Sequence, residues 1–497
     1  MRTDVAVVGA GPAGMAAALA AADLGAQVVL VDAGGAMGGQ IYRPPATASA
    51  AAGPSVGPKL PQRLRRAVGH PRIRHLPGTT VWQAIKVTDG ADGVGEVSED
   101  GGVGGGRGAE FRLWLTSAAG RTEAERSQPD QVLVRAVVIA TGASEVVLPF
   151  PGWELPGVTT TGAAQALLKG QGVGAGRRVL VAGSGPLLLP AAAGLAEAGV
   201  KVTAVLEANR ITPGRVAAAA RLAPFSKKVS EAGGYGRILG RHRVPVRAGY
   251  AVLECQGNGQ VEQATVGRVD RDWRAVPGTG RQVPVDAVHV SFGFSPALEL
   301  PRLLGCADLP QAGRPAAATW CDADQATSVP GVFAAGETTG VAGADVAELE
   351  GYVAGAASAR YLGLIAGEPF NKRTGGVRSA LERARKFARR LDDLYPWRPG
   401  GLDWPRADTL VCRCEEVPWA AIGAAVADGA RDVRAVKGVT RCGMGYCQGR
   451  VCGPALQQAV AAATGRGLSA VGDLGTRPLI SPVTLGTIAA GAPPPAT

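Results

Sequence analysis

The sequence predicts an α/β fold of tandem Rossmann-like units, with a small, cysteine-bearing helical module near the C-terminal end. Three observations carry that reading. A strand, a glycine-rich turn, a helix and a second strand open the chain; the same order returns at 177–207; and five of the eight cysteines fall between positions 412 and 452. Size and composition agree. At about 150 residues per domain, the 497-residue chain is expected to hold roughly three domains. Apolar residues at 46% against 19% charged supply a core. The 73 glycines and 35 prolines suit a loop-rich α/β protein better than a helical bundle.

Composition also excludes. The net charge of +11 comes from arginines spread along the chain, and aromatics are only 5%. Nucleic-acid binding asks for a clustered basic stripe with interleaved aromatics, so no nucleic-acid partner is expected. The apolar run from 5 to 22 is broken by Gly9, Gly11, Pro12 and Gly14, which argues against a membrane span. The first strand, Val5-Ala6-Val7-Val8, begins too early for a secretory leader. The chain reads as cytoplasmic, and a dense cysteine cluster there points to metal rather than disulfides.

The elements follow in order. Residues 3–8 form a buried strand, 12–24 an alanine-rich helix and 27–32 a second strand. Residues 44–58 carry no periodicity and read as a mobile loop. Alternating strands run from about 72 to 140, interrupted by a glycine-rich insert at 90–108 that reads as a hairpin excursion. After the second βαβ set at 177–207, strand signals return through 250–292. Gly331-Val332-Phe333-Ala334-Ala335 then leads into a helix of small residues at 344–362. Val377, Leu381, Ala384, Phe387, Leu391 and Leu394 recur at helical spacing, so 371–404 reads as an amphipathic connector. Two short helices, 418–427 and 432–438, lie between the cysteine pairs.

Gly9-Ala10-Gly11-Pro12-Ala13-Gly14 sits between the first strand and the first helix. The first glycine permits the turn, the second lets backbone approach a pyrophosphate, and the third lets helix and strand pack. The helix N-terminus offers N–H groups and partial positive charge to phosphate. Asp32 ends the next strand, where a carboxylate can accept from a ribose diol. Two further segments, Val137-Val138-Ile139-Ala140-Thr141-Gly142-Ala143 and Gly331-Val332-Phe333-Ala334-Ala335-Gly336-Glu337, are buried strands ending in small turns. With the glycine motif they resemble the two-dinucleotide-binding-domain flavoproteins, over residues 1–370. That resemblance implies FAD, with the acid of the Gly-Glu pair on the ribityl chain. The family's acid is usually aspartate; Glu337 is one methylene longer. Residues 1–254 hold no cysteine, so no thiolate is placed to reduce a disulfide beside the flavin.

Gly183-Ser184-Gly185-Pro186-Leu187-Leu188 repeats the glycine logic, with Glu207 ending the following strand. Leucine replaces the third glycine at 188 and is expected to push helix from strand, loosening the phosphate cradle. Glu207 favours a free 2′-hydroxyl over a 2′-phosphate. NAD turnover, a bound but unreactive adenine nucleotide such as ATP, and an empty domain all stay open.

Cys412-Arg413-Cys414 is followed after 32 residues by Cys447, with Cys452 five further on. Four thiolates suit a [2Fe–2S] cluster or a structural zinc; the tight Cys-x-Cys tilts towards iron–sulfur. Gly443, Gly445 and Gly449 leave N–H groups free for cluster sulfurs, and Arg413, Lys437, Arg441 and Arg450 could offset its charge. Cys442 makes 412/414/442/447 an alternative set.

The segments 411–417 and 440–452 resemble the bacterioferritin-associated-ferredoxin-type [2Fe–2S] domain, in the version fused to the FAD-binding alpha subunits of opine oxidases, hydrogen cyanide synthase and proline or hydroxyproline dehydrogenases. Gly38-Gly39-Gln40-Ile41-Tyr42-Arg43-Pro44, Gly293-Phe294-Ser295-Pro296 and Arg477-Pro478-Leu479-Ile480 agree with that family, as does Leu188. The resemblance implies an FAD site of Gly9, Gly11, Pro12, Ala13, Gly14, Asp32, Gly39, Gln40, Arg43, Val81, Thr141, Gly142, Gly336 and Glu337. It implies cluster ligands Cys412, Cys414, Cys447 and Cys452, leaving Cys442 a neighbour. Further implications are FMN at an interface between subunits, a D-amino-acid-oxidase-like beta subunit and a small ferredoxin-like subunit.

The expected domains are an FAD unit at 1–155 and 285–370, a second nucleotide unit at 156–284, a connector at 371–404, the [2Fe–2S] module at 405–465 and a tail at 466–497. No paired carboxylates or Ser–His–Asp arrangement nominates a catalytic base, and His70, His75, His242 and His289 read as packing or surface residues. The expected function is electron transfer within a heteromeric amine or imino-acid dehydrogenase. The alternatives are a stand-alone NADH-dependent reductase and a non-catalytic assembly subunit with structural zinc.

Overall fold

A computed structural model describes residues 1–45, 60–87, 110–117, 130–223, 225–311, 313–314 and 316–491. Most of the expected loop at 44–58 and the insert at 90–108 lie outside the described residues.

The first unit is built on strands β1 (Arg2–Val8), β2 (Val28–Val31), β3 (Ile73–Leu76), β4 (Thr79–Val87), β5 (Glu110–Ser117) and β6 (Gln131–Ile139). They run β3-β2-β1-β6-β5-β4 across the sheet. β6 is shared: its first half pairs antiparallel with β5, and its last three residues pair parallel with the strand Val332–Ala334. Register brings Val31, Val8, Ile139 and Ala334 to one line of strand ends. Four carboxyl ends in line make the crevice where α/β sheets take ligands.

Behind this sheet α1 (Pro12–Asp23) packs on the helix Ala344–Tyr361. A methyl group on Gly351 would stand 2.0 Å from the Ala13 carbonyl oxygen, and one on Gly355 2.1 Å from that of Ala17. Only glycine lets two backbones approach so closely, which explains two glycines one turn apart in a helix of small residues.

The second unit is an all-parallel sheet in the order Val246–Ala248, Lys201–Glu207, Arg178–Gly183, Ala287–Ser291, Val158–Thr160. A three-stranded antiparallel sheet (Tyr250–Gln256, Gln263–Arg268, Arg281–Pro284) covers it. The boundary expected at 284/285 therefore falls too early. Ala287–Ser291 pairs with Arg178–Gly183 and belongs to this second sheet. The chain returns to the first unit afterwards, through Phe294–Pro296 paired with Ala143–Glu145. An apolar strand does not record which sheet it joins, so the sequence pattern could not place this one.

The connector helix is Gly367–Asp392, starting earlier and ending earlier than expected, with Phe370, Leu381 and Ala388 buried. In the cysteine module, helices Trp419–Ala427, Val433–Thr440 and Gly453–Thr464 surround a core of their own. Asp432 caps the second of them by accepting from Ala435 N at 2.8 Å. Beyond it the chain turns back: Ile480 N donates to Trp82 O at 2.9 Å, and Asp473 pairs with Arg302 at 2.5 Å.

Candidate functional site

At the first line of strand ends the three motif glycines are required for three different reasons. Gly9 has φ +104°, and a methyl group there would stand 2.2 Å from the Ala140 carbonyl oxygen. One on Gly14 would stand 1.7 Å from the Gly9 carbonyl oxygen, whereas Gly11 has nothing within 4 Å. The first and third glycines serve protein packing; the open face of Gly11 leaves room for a ligand. Pro12 starts α1 and Ala13 lies in its first turn, at the backbone N–H end of the helix.

Asp32 is fixed from both sides. Its Oδ2 accepts from Ala10 N and its Oδ1 from Gly34 N, each at 2.6 Å. Burial raises its pKa, opposed by those two bonds. Thr141 Oγ1 donates to the Ala297 carbonyl at 3.3 Å beside Gly142. Gly336 N donates to Glu350 Oε2 at 2.9 Å, and Glu350, 3% exposed, is paired with Arg385 at 2.8 Å. Glu337 is half-buried and its carboxylate makes no hydrogen bond among the described residues; burial raises its pKa against the pull of Arg314. Gln40 accepts from Arg43 at 2.7 Å, and Gly39 lies against the Gly11 backbone. Val81 is buried in the core on the sheet's other face. Glu350 and Arg385 were missed from sequence; Asp345, Glu348 and Glu350 all stand in 344–361, and nothing local singles out the buried one.

The second motif repeats part of this. Gly183 has φ +135° and lies against the Ser291 carbonyl, and Gly185 is open. Glu207 accepts from Gly185 N at 3.1 Å and Asn209 N at 2.9 Å. Leu188 is 2% exposed within the core, and the helix Leu188–Glu197 begins with it.

The cysteine module brings five thiols together. The Sγ atoms of Cys412, Cys442 and Cys452 lie within 4.8 Å of one another, all buried. Cys412, Cys414, Cys447 and Cys452 line a cavity of about 240 Å³, whose opposite wall is Trp153, Val158, Thr159 and Val290 of the second unit. Hydrogen bonds from Cys442 and then Cys452 pull the Cys412 pKa down. An apolar wall and converging thiols can hold a soft metal centre. Gly445 comes so close to Cys414 that a methyl group would meet its Cβ at 2.2 Å. The four expected counter-cations have other partners: Arg413 lies 5.1 Å from the Trp153 ring centre, Lys437 donates to Leu474 O, Arg441 pairs with Glu415 and Arg450 with Glu299.

His289 is fully buried with Nδ1 2.8 Å from Thr159 Oγ1, and burial lowers its pKa to about 4, as it does for His75. Both are neutral packing residues. Cys255 is buried, and burial pushes it up to about 12.

Residues 3–351 match the family model described as pyridine nucleotide-disulphide oxidoreductase. The chain belongs to that family. Residues 407–492 match the sarcosine oxidase A3 domain. An opine oxidase subunit of Agrobacterium tumefaciens (strain Ach5) is 32% identical over 491 residues, 97% of this chain and 89% of that relative. Hydrogen cyanide synthase subunit HcnB of Pseudomonas aeruginosa is 32% identical over 485 residues, 93% of each chain. The L-proline dehydrogenase from P. horikoshii shares the fold, with a TM-score of 0.64, 19% identity, and coverage of 98% of this chain and 79% of that one. The family resemblance and the tandem flavoprotein architecture expected from sequence are thus borne out, and the chain is an oxidoreductase. Among the described residues no helix is long and apolar enough to cross a membrane.

Proposed function

We propose that this chain is the FAD- and [2Fe–2S]-bearing alpha subunit of a heteromeric amine or imino-acid dehydrogenase or oxidase, of opine, proline, hydroxyproline or glycine type. In this reading it carries electrons away from a D-amino-acid-oxidase-like partner that oxidises the substrate. The observation behind it is that one chain holds both a glycine–acid crevice with an open Gly11 face and a thiol-lined cavity of about 240 Å³. The names of the relatives, subunits of opine oxidase and hydrogen cyanide synthase, support the heteromeric part.

FAD supplies exchange of one or two electrons, and a [2Fe–2S] cluster exchange of one. The chain's own residues place and shield. The N-terminus of α1 takes the pyrophosphate, Asp32 the ribose diol and Glu337 the ribityl chain. Cys412, Cys414, Cys447 and Cys452 are the ligands, and Trp153 closes the apolar wall against water.

Co-expression with candidate partner chains, cofactor analysis and an amine screen test the proposal. Flavin reduction by an amine only when the partner is present is the expected result. Rapid bleaching by NADH without a partner overturns it in favour of a stand-alone reductase; one zinc with no iron or sulfide overturns it in favour of an assembly subunit. Cys447→Ala is expected to lose the visible iron chromophore and keep FAD, whereas equal loss of both contradicts separate sites.

A further inference from the structure

The segment that carries Glu337 has little structure of its own. Gly336, Gly340 and Gly343 have φ of +78°, +134° and +87°, and glycine loses more conformational freedom on ordering than any other residue. What fixes the segment comes from outside it. Gly336 is pressed against α1, where a methyl group on it would stand 2.8 Å from Ala13 Cβ. From the helix Ala344–Tyr361, Glu350 Oε2 accepts from Gly336 N at 2.9 Å and from Thr339 Oγ1 at 2.8 Å. One carboxylate oxygen thus spans both ends of the 3₁₀ turn Gly336–Thr339.

The other oxygen belongs to the connector. Glu350 Oε1 accepts from Arg385 Nη2 at 2.8 Å and from Arg385 Nε at 3.2 Å. Arg385 stands seven residues after Arg378 and seven before Asp392, so the three form one stripe along the helix Gly367–Asp392. Arg378 pairs with Asp324. Asp392 pairs with Arg314, which also donates to Val341 O at 3.1 Å and stands near enough to Glu337 for its charge to act on that carboxylate. The stripe therefore reaches the turn at two points. Docking of the connector does not need them, because Phe370, Leu381 and Ala388 bury its apolar side. An ion pair with a buried acid adds little to docking, since desolvation offsets the attraction. What the pair supplies is aim: with Oε1 tied to Arg385, Oε2 faces the turn.

We propose that Arg385 is a positioning residue for the flavin: acting through Glu350, it holds the Gly336–Thr339 turn so that the Glu337 carboxylate stays free for the ribityl chain. Asp392 acts on the same segment through Arg314, more weakly because its carboxylate is exposed. The connector is thus part of the cofactor site at one remove, and the grip on FAD depends on a helix that lies outside the two nucleotide units. This rests on the reading of Glu337 as the ribityl contact and adds what keeps it in place.

The test is FAD titration of the full-length apoprotein, followed by quenching of flavin fluorescence, with the urea midpoint of each variant measured alongside. Arg385→Met is expected to weaken FAD binding about tenfold, and Arg385→Lys to recover most of it. Arg378→Met removes an ion pair of the same helix whose partner is Asp324 rather than Glu350; it is expected to keep FAD affinity within about twofold. In a Glu337→Gln background Arg385→Met is expected to add less than about twofold, because the carboxylate it positions is already gone. Should Arg385→Met not fold, Glu350→Gln, which keeps the side chain's shape, takes its place in both backgrounds with the same expected pattern. An equal loss in Arg378→Met, or an undiminished loss in the Glu337→Gln background, would make Arg385 a matter of folding alone and overturn the proposal. Weakened binding in Glu337→Gln beside wild-type binding in Arg385→Met overturns the proposal and leaves the Glu337 reading standing. Wild-type binding in Glu337→Gln overturns that reading and the proposal with it.

Discussion

The two glycine motifs share an acid and differ in a helix. Asp32 and Glu207 each end the strand after the motif, and each carboxylate is held by a motif N–H and by the N–H two residues on. In the first motif α1 begins at Pro12, directly after Gly11. In the second the helix begins at Leu188, three residues after Gly185. Gly14 sits where a side chain would meet backbone, whereas Leu188 is a core residue. The acid is therefore the transferable part of the motif. What distinguishes the two motifs is how soon after the second glycine the helix begins, and the third position differs with it, glycine at 14 and leucine at 188.

This comparison can be broken from either side. Leu188→Ala should be the most costly change, about 2–5 kcal/mol of stability, because it removes a buried side chain from the second core. FAD content of the folded fraction should be unaffected; a urea titration followed by flavin quantification checks both. Gly14→Ala should cost about 1–3 kcal/mol through overpacking and also lose FAD, since the helix must move off the strand. Retention of FAD by Gly14→Ala would mean that the close packing of α1 is not what makes the first site.

The two units also share a pH response. His75 on β3 and His289 on Ala287–Ser291 both have pKa values lowered by burial to about 4 from 6.5. Below about 6.5 the unfolded chain takes up protons that the native chain refuses until about 4. Stability is therefore complete above that window and falls as pH drops through it. The fully buried His289 should account for the larger share, on the order of 1–3 kcal/mol. Urea midpoints measured from pH 7 to pH 4 should flatten in His289→Gln more than in a His75→Gln control. The smallest expected effect is at Cys442: Cys442→Ala should retain the iron chromophore that Cys447→Ala loses, and loss of iron in both would put Cys442 among the ligands.

Much of the fold was legible because its signals are local. The glycine turns, the acids that follow them and the Cys-x-Cys pair all lie within short stretches of chain. Non-local partners were not legible. Nothing in Ala287–Ser291 says that it pairs with Arg178–Gly183. Nothing in Glu350 announces that Gly336 N and Arg385 converge on it from elsewhere in the chain. Spacing left the four-thiol set ambiguous because all five thiols converge, and residues 394–398 read simply as the end of the connector. Asn209 and Arg215, which donate to the carbonyls of Pro396 and Leu394, lie nearly two hundred residues earlier.

The return of the tail has a mechanical consequence. The thiol module is moored to the second unit where Trp153 Nε1 donates to Leu410 O, and to the first where Ile480 N reaches Trp82 O and Arg450 pairs with Glu299. A body tethered on two flanks has no hinge to swing on. The gap between the sulfur pocket and the glycine crevice is thus a length set once, at folding, and any traffic across it runs over a fixed span rather than waiting on an encounter.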